Sequence, residues 1–342
     1  MSFPSMTLEE ILPLHRAGEF DAAERAYREH LAAQPDDVDA LHLLGVVLHQ
    51  RGDSAAAMAP LLQAVRIAPD VARLHLTLGG VLMQLGQDEA ARGAFLRALE
   101  LDPNLVEAHG VLGHLQLGEG DLDAAENRFR IGRRATDAFE DEDPLILLGL
   151  GNVYLARGDG VTASKFLSRA ASLRPDDAAI QTALGQSLFA QESFAFAEQA
   201  LANALRLHPD SSTAKLFLAR ARMRQNKDDA AREGFSELVA AGKQVFGATA
   251  GLGDIARKHG QTVKALKYYK RALELDPTHA GAINACAWCM EKLGDPEAAV
   301  RYLSDGVRRS PDADSLRPQL AVLLERLGRG DEAAQVRAAL AG

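Results

Sequence analysis

Apolar positions along the chain recur in two alternating helical stripes with a fixed period. Ten repeats of 34 residues begin at residues 4, 38, 72, 106, 144, 178, 212, 246, 280 and 314. Within each, positions 4, 7, 8 and 11 carry the i, i+3, i+4, i+7 spacing of one helical face, and positions 20, 24 and 27 do the same for a second helix. Each repeat is therefore predicted to be a helical hairpin. Position 20 is alanine in all ten repeats, from Ala23 to Ala333. Position 8 is Gly or Ala in nine, with Ile11 departing, and position 15 is Gly in eight, with Glu192 and Asn226 departing. Proline falls at position 32 in seven repeats, from Pro35 to Pro311.

Small residues at positions 8 and 20 let two antiparallel helices approach closely, while Leu at position 7 and Phe, Tyr or Leu at position 24 fill the adjoining space. Glycine at position 15 supplies the left-handed residue that ends the first helix, and proline at position 32 stops the second. A lone hairpin cannot bury its apolar stripe, so neighbours must stack. The ends depart from the pattern. Thr7 with Glu10 offers a capping box, whereas Pro13 is expected to kink or shorten the first helix. Pro60 predicts a bend in the second helix of repeat two, Pro318 lies where a helix start tolerates it, and Arg337 replaces the large apolar residue at position 24. The acidic insertion Glu140 to Asp143 reads equally as a hinge, an interaction loop or a tolerated insertion.

The segments LHLLGVVLHQRGDSAAAMAPLLQAVRIAPD, from Leu41 to Asp70, and LHLTLGGVLMQLGQDEAARGAFLRALELDPN, from Leu74 to Asn104, resemble the tetratricopeptide repeat family. The resemblance covers essentially the whole chain. It implies an all-α, right-handed α-solenoid forming a single superhelix over residues 1–342, and a protein-interaction scaffold rather than an enzyme. It also implies that repeat positions 2, 5, 9 and 12 line a concave groove. Helical geometry agrees, because those positions lie roughly opposite the packing stripe.

Leu8, Leu12, Val46, Leu76, Met83, Leu117, Leu145, Leu148, Leu155, Phe189, Leu216, Met223 and Trp288 would look into this groove. They make either a partner stripe or a face that packs upon itself. Position 9 turns polar in the middle of the array, through Asn152, Gln186, Arg220 and Asp254, where amides and charges at adjacent levels suit the backbone of an extended segment. Trp288 is the single tryptophan, a residue type enriched at interaction hot spots. Repeats five to nine are thus the expected site. Co-chaperone adaptors of this family need Lys at position 5 of their first repeat, and no repeat here has it.

Charge sharpens this picture. Lys and Arg number 38 against 47 Asp and Glu, a net charge of -9, which argues against wholesale wrapping of nucleic acid or an anionic membrane. Yet residues 206–275 carry 14 basic against 7 acidic residues, a local +7 that leaves -16 elsewhere. Arg220, Arg224, Arg257 and Lys258 fall near the concave side of repeats seven and eight, so the expected partner is a protein or peptide segment of acidic character.

Other chemistry is weakly represented. Cys286 and Cys289 form a C-x-x-C inside a helical stripe, read as buried structural thiols, and two cysteines in all suit a reducing compartment. GLGDIA at 251–256 matches a nucleotide-binding pattern, but Gly253 is the repeat's own position 8. His15, His42, His49 and His114 lack metal-ligand spacing. No cofactor is expected, and the repeats leave no length for a catalytic domain. The N-terminus lacks a secretory pattern and no apolar run is long enough to span a bilayer, so the expected location is cytoplasmic. Arginine and alanine enrichment suggests a bacterial source. A self-associating scaffold forming homo-oligomers is the alternative function.

Overall fold

The structure, a computed structural model, describes residues 6–135, 142–310 and 315–338. Twenty helices and no strand occur among them, an all-α helical solenoid in which the two helices of nine of the ten repeats pack together as a hairpin. Second helices begin at position 17 of every repeat, at Phe20, Ser54, Asp88, Leu122, Gly160, Phe194, Asp228, Thr262, Pro296 and Gly330. First helices begin at or beside position 1 in eight repeats, and a few residues late in the terminal two, at Leu8 and Leu316. Contacts divide the chain into two compact units, residues 1–157 and 158–342.

One packing motif recurs in both units. The alanine at position 20 is fully buried in nine repeats and 1% exposed in the tenth. The side chain at position 24 lies against the glycine at position 8 of its own repeat: a Cβ on Gly45 would fall 2.5 Å from Leu61 Cγ, on Gly113 2.7 Å from Phe129 Cε1, and on Gly253 2.7 Å from Tyr269 Cε1. The same side chain meets the next repeat, since Gly149 packs on Phe129 and Gly251 on Phe235. Phe129 is thus clamped between two backbones. Ion pairs reinforce stacking between neighbours, including Glu24 with Arg51, Arg92 with Glu119, and Glu198 with Arg222.

The corners follow from backbone sterics. All ten position-15 residues have positive φ, including Glu192 at 60° and Asn226 at 63°. This conformation lets the next residue donate its N–H back to the carbonyl five residues earlier, as in Asp53 to Leu48 at 2.9 Å and Ser193 to Leu188 at 2.9 Å. That hydrogen bond forces the left-handed turn even where no glycine is present. Repeat seven lacks the position-32 proline; Lys243 stands there between Gly242 and Gln244, both at positive φ.

At the termini, the Thr7–Glu10 capping box forms, with Thr7 N–H donating to Glu10 Oε2 at 2.8 Å. Pro13 stays inside a first helix of 9 residues. Arg337 is exposed and pairs with Glu325. Of the acidic insertion, Glu140 and Asp141 lie outside the described residues. Glu142 is buried and bonded to Arg133 at 2.8 Å, and Asp143 caps the following helix through the N–H groups of Leu145 and Ile146.

The histidines of the N-terminal unit are structural. His15 bonds Gln50 at 2.9 Å, and His49 bonds Ser54 at 2.9 Å. The ring of His114 meets Phe129 edge-on at 5.0 Å. His42 Nε2 lies 2.8 Å from Thr77 Oγ1, whose own hydroxyl donates to the Arg73 carbonyl at 3.0 Å. His42 Nε2 must therefore donate, and burial, which pushes its pKa down to about 4, keeps the imidazole neutral. Burial also lowers His109 and His114. His30 moves oppositely, raised by its hydrogen bond to Asp37.

Three outcomes follow from these contacts. Gly113→Ala gains about 1 kcal/mol of helix propensity but overpacks a clamped ring, a cost of about 1–3 kcal/mol, so denaturant unfolding will show net destabilisation. Glu192→Gly relieves the left-handed strain and loses only a surface pair with Arg224, so amide exchange around residues 185–200 should slow, by up to about 1 kcal/mol. For His42, the unfolded chain takes up its proton near pH 6.5 and the folded chain only near pH 4. Its contribution is therefore present above pH 6.5 and is lost as pH falls towards 4. Between pH 7 and 4.5 this amounts to about 2–3 kcal/mol, and His42→Gln should remove that share of the pH slope measured by hydrogen exchange in repeats two and three.

Candidate partner-binding groove

The expected groove residues fall in both units, and each set is considered within its own unit. In the N-terminal unit, Asn152 and Leu155 are half-buried on the first helix of repeat five, while Leu148 is 8% exposed. In the C-terminal unit, Gln186, Phe189, Arg220, Met223 and Asp254 are half-buried, and Arg224, Arg257, Lys258 and Trp288 are exposed. Leu216 is only 5% exposed. The reason is its neighbour in the next repeat: a Cβ on Gly247 would stand 3.2 Å from Leu216 Cδ2, so repeat eight packs over it. Leu148 and Leu216 belong to the core, so at these two positions the face packs upon itself instead of offering a partner stripe.

The basic segment is mostly neutralised. Arg224 bonds Glu192 at 3.2 Å, Arg257 lies 3.6 Å from Asp254, and Lys258 bonds Asp228 at 2.7 Å and Asn226 at 2.8 Å. Lys227 and Arg222 converge on Glu198 at 2.6 and 3.1 Å. Three of the four cations expected to meet an acidic segment thus already hold carboxylates from this chain.

Arg220 is the exception. No carboxylate of the described residues lies within 4.0 Å of it. Its guanidinium sits over the Phe217 ring at 5.4 Å, and its Nη2 packs closely on Gly247, 3.2 Å from where a Cβ would be. Burial lowers its pKa, with the Asp254 charge acting the other way. Around it runs a connected row: Phe189 packs edge-on against Phe217 at 5.7 Å, and Arg257 lies over Trp288 at 5.6 Å, with Lys292 at 5.9 Å from the same ring. Asp254 is fixed by the Tyr269 hydroxyl at 2.7 Å.

Two participants escape a reading by positions 2, 5, 9 and 12 that looks only for large or charged side chains. Phe217 occupies position 6, and Gly247 matters through what it lacks. The signal for Phe217 was the clustering of Phe189, Phe194 and Phe217 within adjoining repeats. The other chemical signals resolve into packing. Cys286 and Cys289 are free and fully buried; burial pushes Cys286 up to about 11 and raises Cys289 as well. Gly251 and Gly253 of GLGDIA face the rings of Phe235 and Tyr269. Among the described residues no His, Cys, Asp and Glu group could hold a metal ion, and no helix is long and apolar enough to cross a membrane.

Comparison with known proteins agrees with the hairpin architecture. A tetratricopeptide repeat family model matches residues 188–248 and 256–317, and a second matches residues 229–280. The model of the cilia and flagella-associated protein 70 C-terminal domain, itself a tetratricopeptide domain, matches residues 14–215. The chain is similar to the solved structure of PilF from Pseudomonas aeruginosa at 19% identity and a TM-score of 0.53, over 60% of this chain and 91% of that one. It is similar to PilW, a type IV pilus biogenesis factor, at 16% identity and a TM-score of 0.52, over 59% and 92% of the two chains. At such identities the likeness shows the fold alone. No curated protein matches this chain. Scaffolds of this fold generally mediate protein–protein interaction and are typically non-catalytic. With its hairpins, position-8 and position-20 packing and matching family models, the chain belongs to the tetratricopeptide repeat family.

Proposed function

We propose that this protein is an interaction scaffold whose C-terminal unit binds an extended protein segment along the first helices of repeats six to nine. The observation that carries the reading is Arg220, a half-buried guanidinium with no carboxylate of the described residues within 4.0 Å, held between Phe217 and the backbone of Gly247. A partially desolvated charge gains more from an incoming carboxylate than a hydrated one, and the Arg fork suits bidentate pairing. Gln186 offers an amide to the segment's backbone, and Phe189, Met223 and Trp288 offer apolar contact at neighbouring levels. In the N-terminal unit, Asn152 and Leu155 are the corresponding candidates.

This reading narrows the acidic partner to one principal anchor. Arg224, Arg257 and Lys258 are committed to Glu192, Asp254 and Asp228, so they contribute shape and cation–π stacking more than free charge. The test is affinity capture from native lysate with the wild type and with Arg220→Glu combined with Trp288→Ala, both checked for helicity. Charge reversal at a desolvated anchor is expected to weaken binding at least 10-fold, about 1.4 kcal/mol or more, so a specific protein should be retained by the wild type and lost by the variant. Equal retention by both would overturn the groove reading. No partner, together with a solution mass above the monomer by light scattering, would replace it with self-assembly.

A further inference from the structure

The second helix of repeat eight, Thr262–Leu273, carries a surface that the groove does not use. Ala265, Tyr269, Ala272 and Leu273 face the core, which turns Val263, Lys267, Lys270 and Arg271 outward. Lys264, Lys267, Lys270 and Arg271 are all exposed, and no carboxylate of the described residues lies within 4.0 Å of any of them. Neighbouring second helices do not neutralise them. At the equivalent outward positions repeat seven has Glu233, Ser236 and Glu237 and repeat nine has Arg301, Ser304 and Asp305; Glu237 is engaged by Lys215 and Asp305 by Arg308. Ion pairing elsewhere in the basic segment makes this cluster of uncompensated charge distinctive.

The patch is also apolar at its centre. Val263 is 70% exposed, more than any other large hydrophobic side chain of the described residues. With Leu266 it lines an open surface patch shared with Lys267, Lys270, Arg271 and Glu274. An apolar centre flanked by uncompensated cations suits one aliphatic side chain with carboxylates beside it. The chain's net charge of -9 weighs against adhesion to an anionic bilayer and favours an acidic protein segment. We infer that the outward face of helix Thr262–Leu273 is a second docking surface, separate from the groove, for an acidic helical segment of a partner protein that places one aliphatic side chain over Val263 and carboxylates on Lys267, Lys270 and Arg271.

The test uses the full chain and a labelled 15-residue helical peptide with a central Leu and Glu at i, i+4 spacing, a Lys-for-Glu counterpart, and phosphatidylserine vesicles, all read by fluorescence anisotropy or co-sedimentation. The Glu peptide should bind the wild type and the Lys peptide should not. Lys267→Glu with Lys270→Glu should weaken binding at least 10-fold, and Val263→Ser about 3- to 10-fold, while Arg220→Glu with Trp288→Ala leaves it unchanged. The variants at all three helix positions and the groove control are read with helicity monitored. Absence of peptide binding overturns the inference. Loss on charge reversal with no effect of Val263→Ser reduces it to unspecific attraction and also overturns it. Loss in the Arg220 and Trp288 variant would place the peptide in the groove, and vesicle binding through these lysines without peptide binding would assign the face to an anionic lipid surface.

Discussion

Everything in this chain depends on how closely two backbones can approach a single side chain. Phe129 lies between Gly113 of its own repeat and Gly149 of the next, while Phe235 meets Gly251 of the next repeat and Tyr269 meets Gly253 of its own. The large residue at position 24 therefore joins the two helices of a hairpin and also seats the following hairpin. Because dispersion falls steeply with separation, removing a Cβ on either side brings many weak contacts to their optimum at once. The invariant alanine at position 20 serves the same geometry from the second helix, and its full burial in nine repeats shows how little room is left.

A solenoid built this way fixes some positions and frees others. Positions 8, 15, 20 and 24 are set by backbone contact, which leaves the outward faces of both helices to vary without cost to stacking. In the C-terminal unit the first helices carry the row from Phe189 through Arg220 to Trp288, and the second helix of repeat eight carries the cationic patch around Val263. The two surfaces use different helices of overlapping repeats. One scaffold thereby presents the two proposed faces on separate helices, and stability is a matter of neighbouring interfaces rather than of one central core.

The hairpins were legible from sequence because their determinants are local. A hairpin's corner needs a left-handed residue at one position, and the hydrogen bond from Ser193 to Leu188 makes Glu192 adopt it without glycine. The groove was only partly legible. Counting charge along residues 206–275 pointed to a basic face, but Arg222 finds Glu198 and Lys258 finds Asp228, partners about one repeat earlier in the chain. Periodicity places a residue on a face and says nothing about what the adjoining repeat brings to it. Leu216 illustrates the same limit: its position number puts it in the groove, and the absence of a side chain at Gly247 lets repeat eight close over it.

Gly247 also sets the reach of Arg220, since a methyl group there would stand 3.2 Å from its Nη2 and displace the guanidinium by a few tenths of an ångström. In the proposed groove the placement of the anchoring cation is thereby governed by a residue that offers a partner nothing to hold. A lineage could retune or silence this surface by adding one carbon atom at position 247, keeping every charged and aromatic residue in place. Divergence of binding among such scaffolds need not leave its trace in the residues that bind.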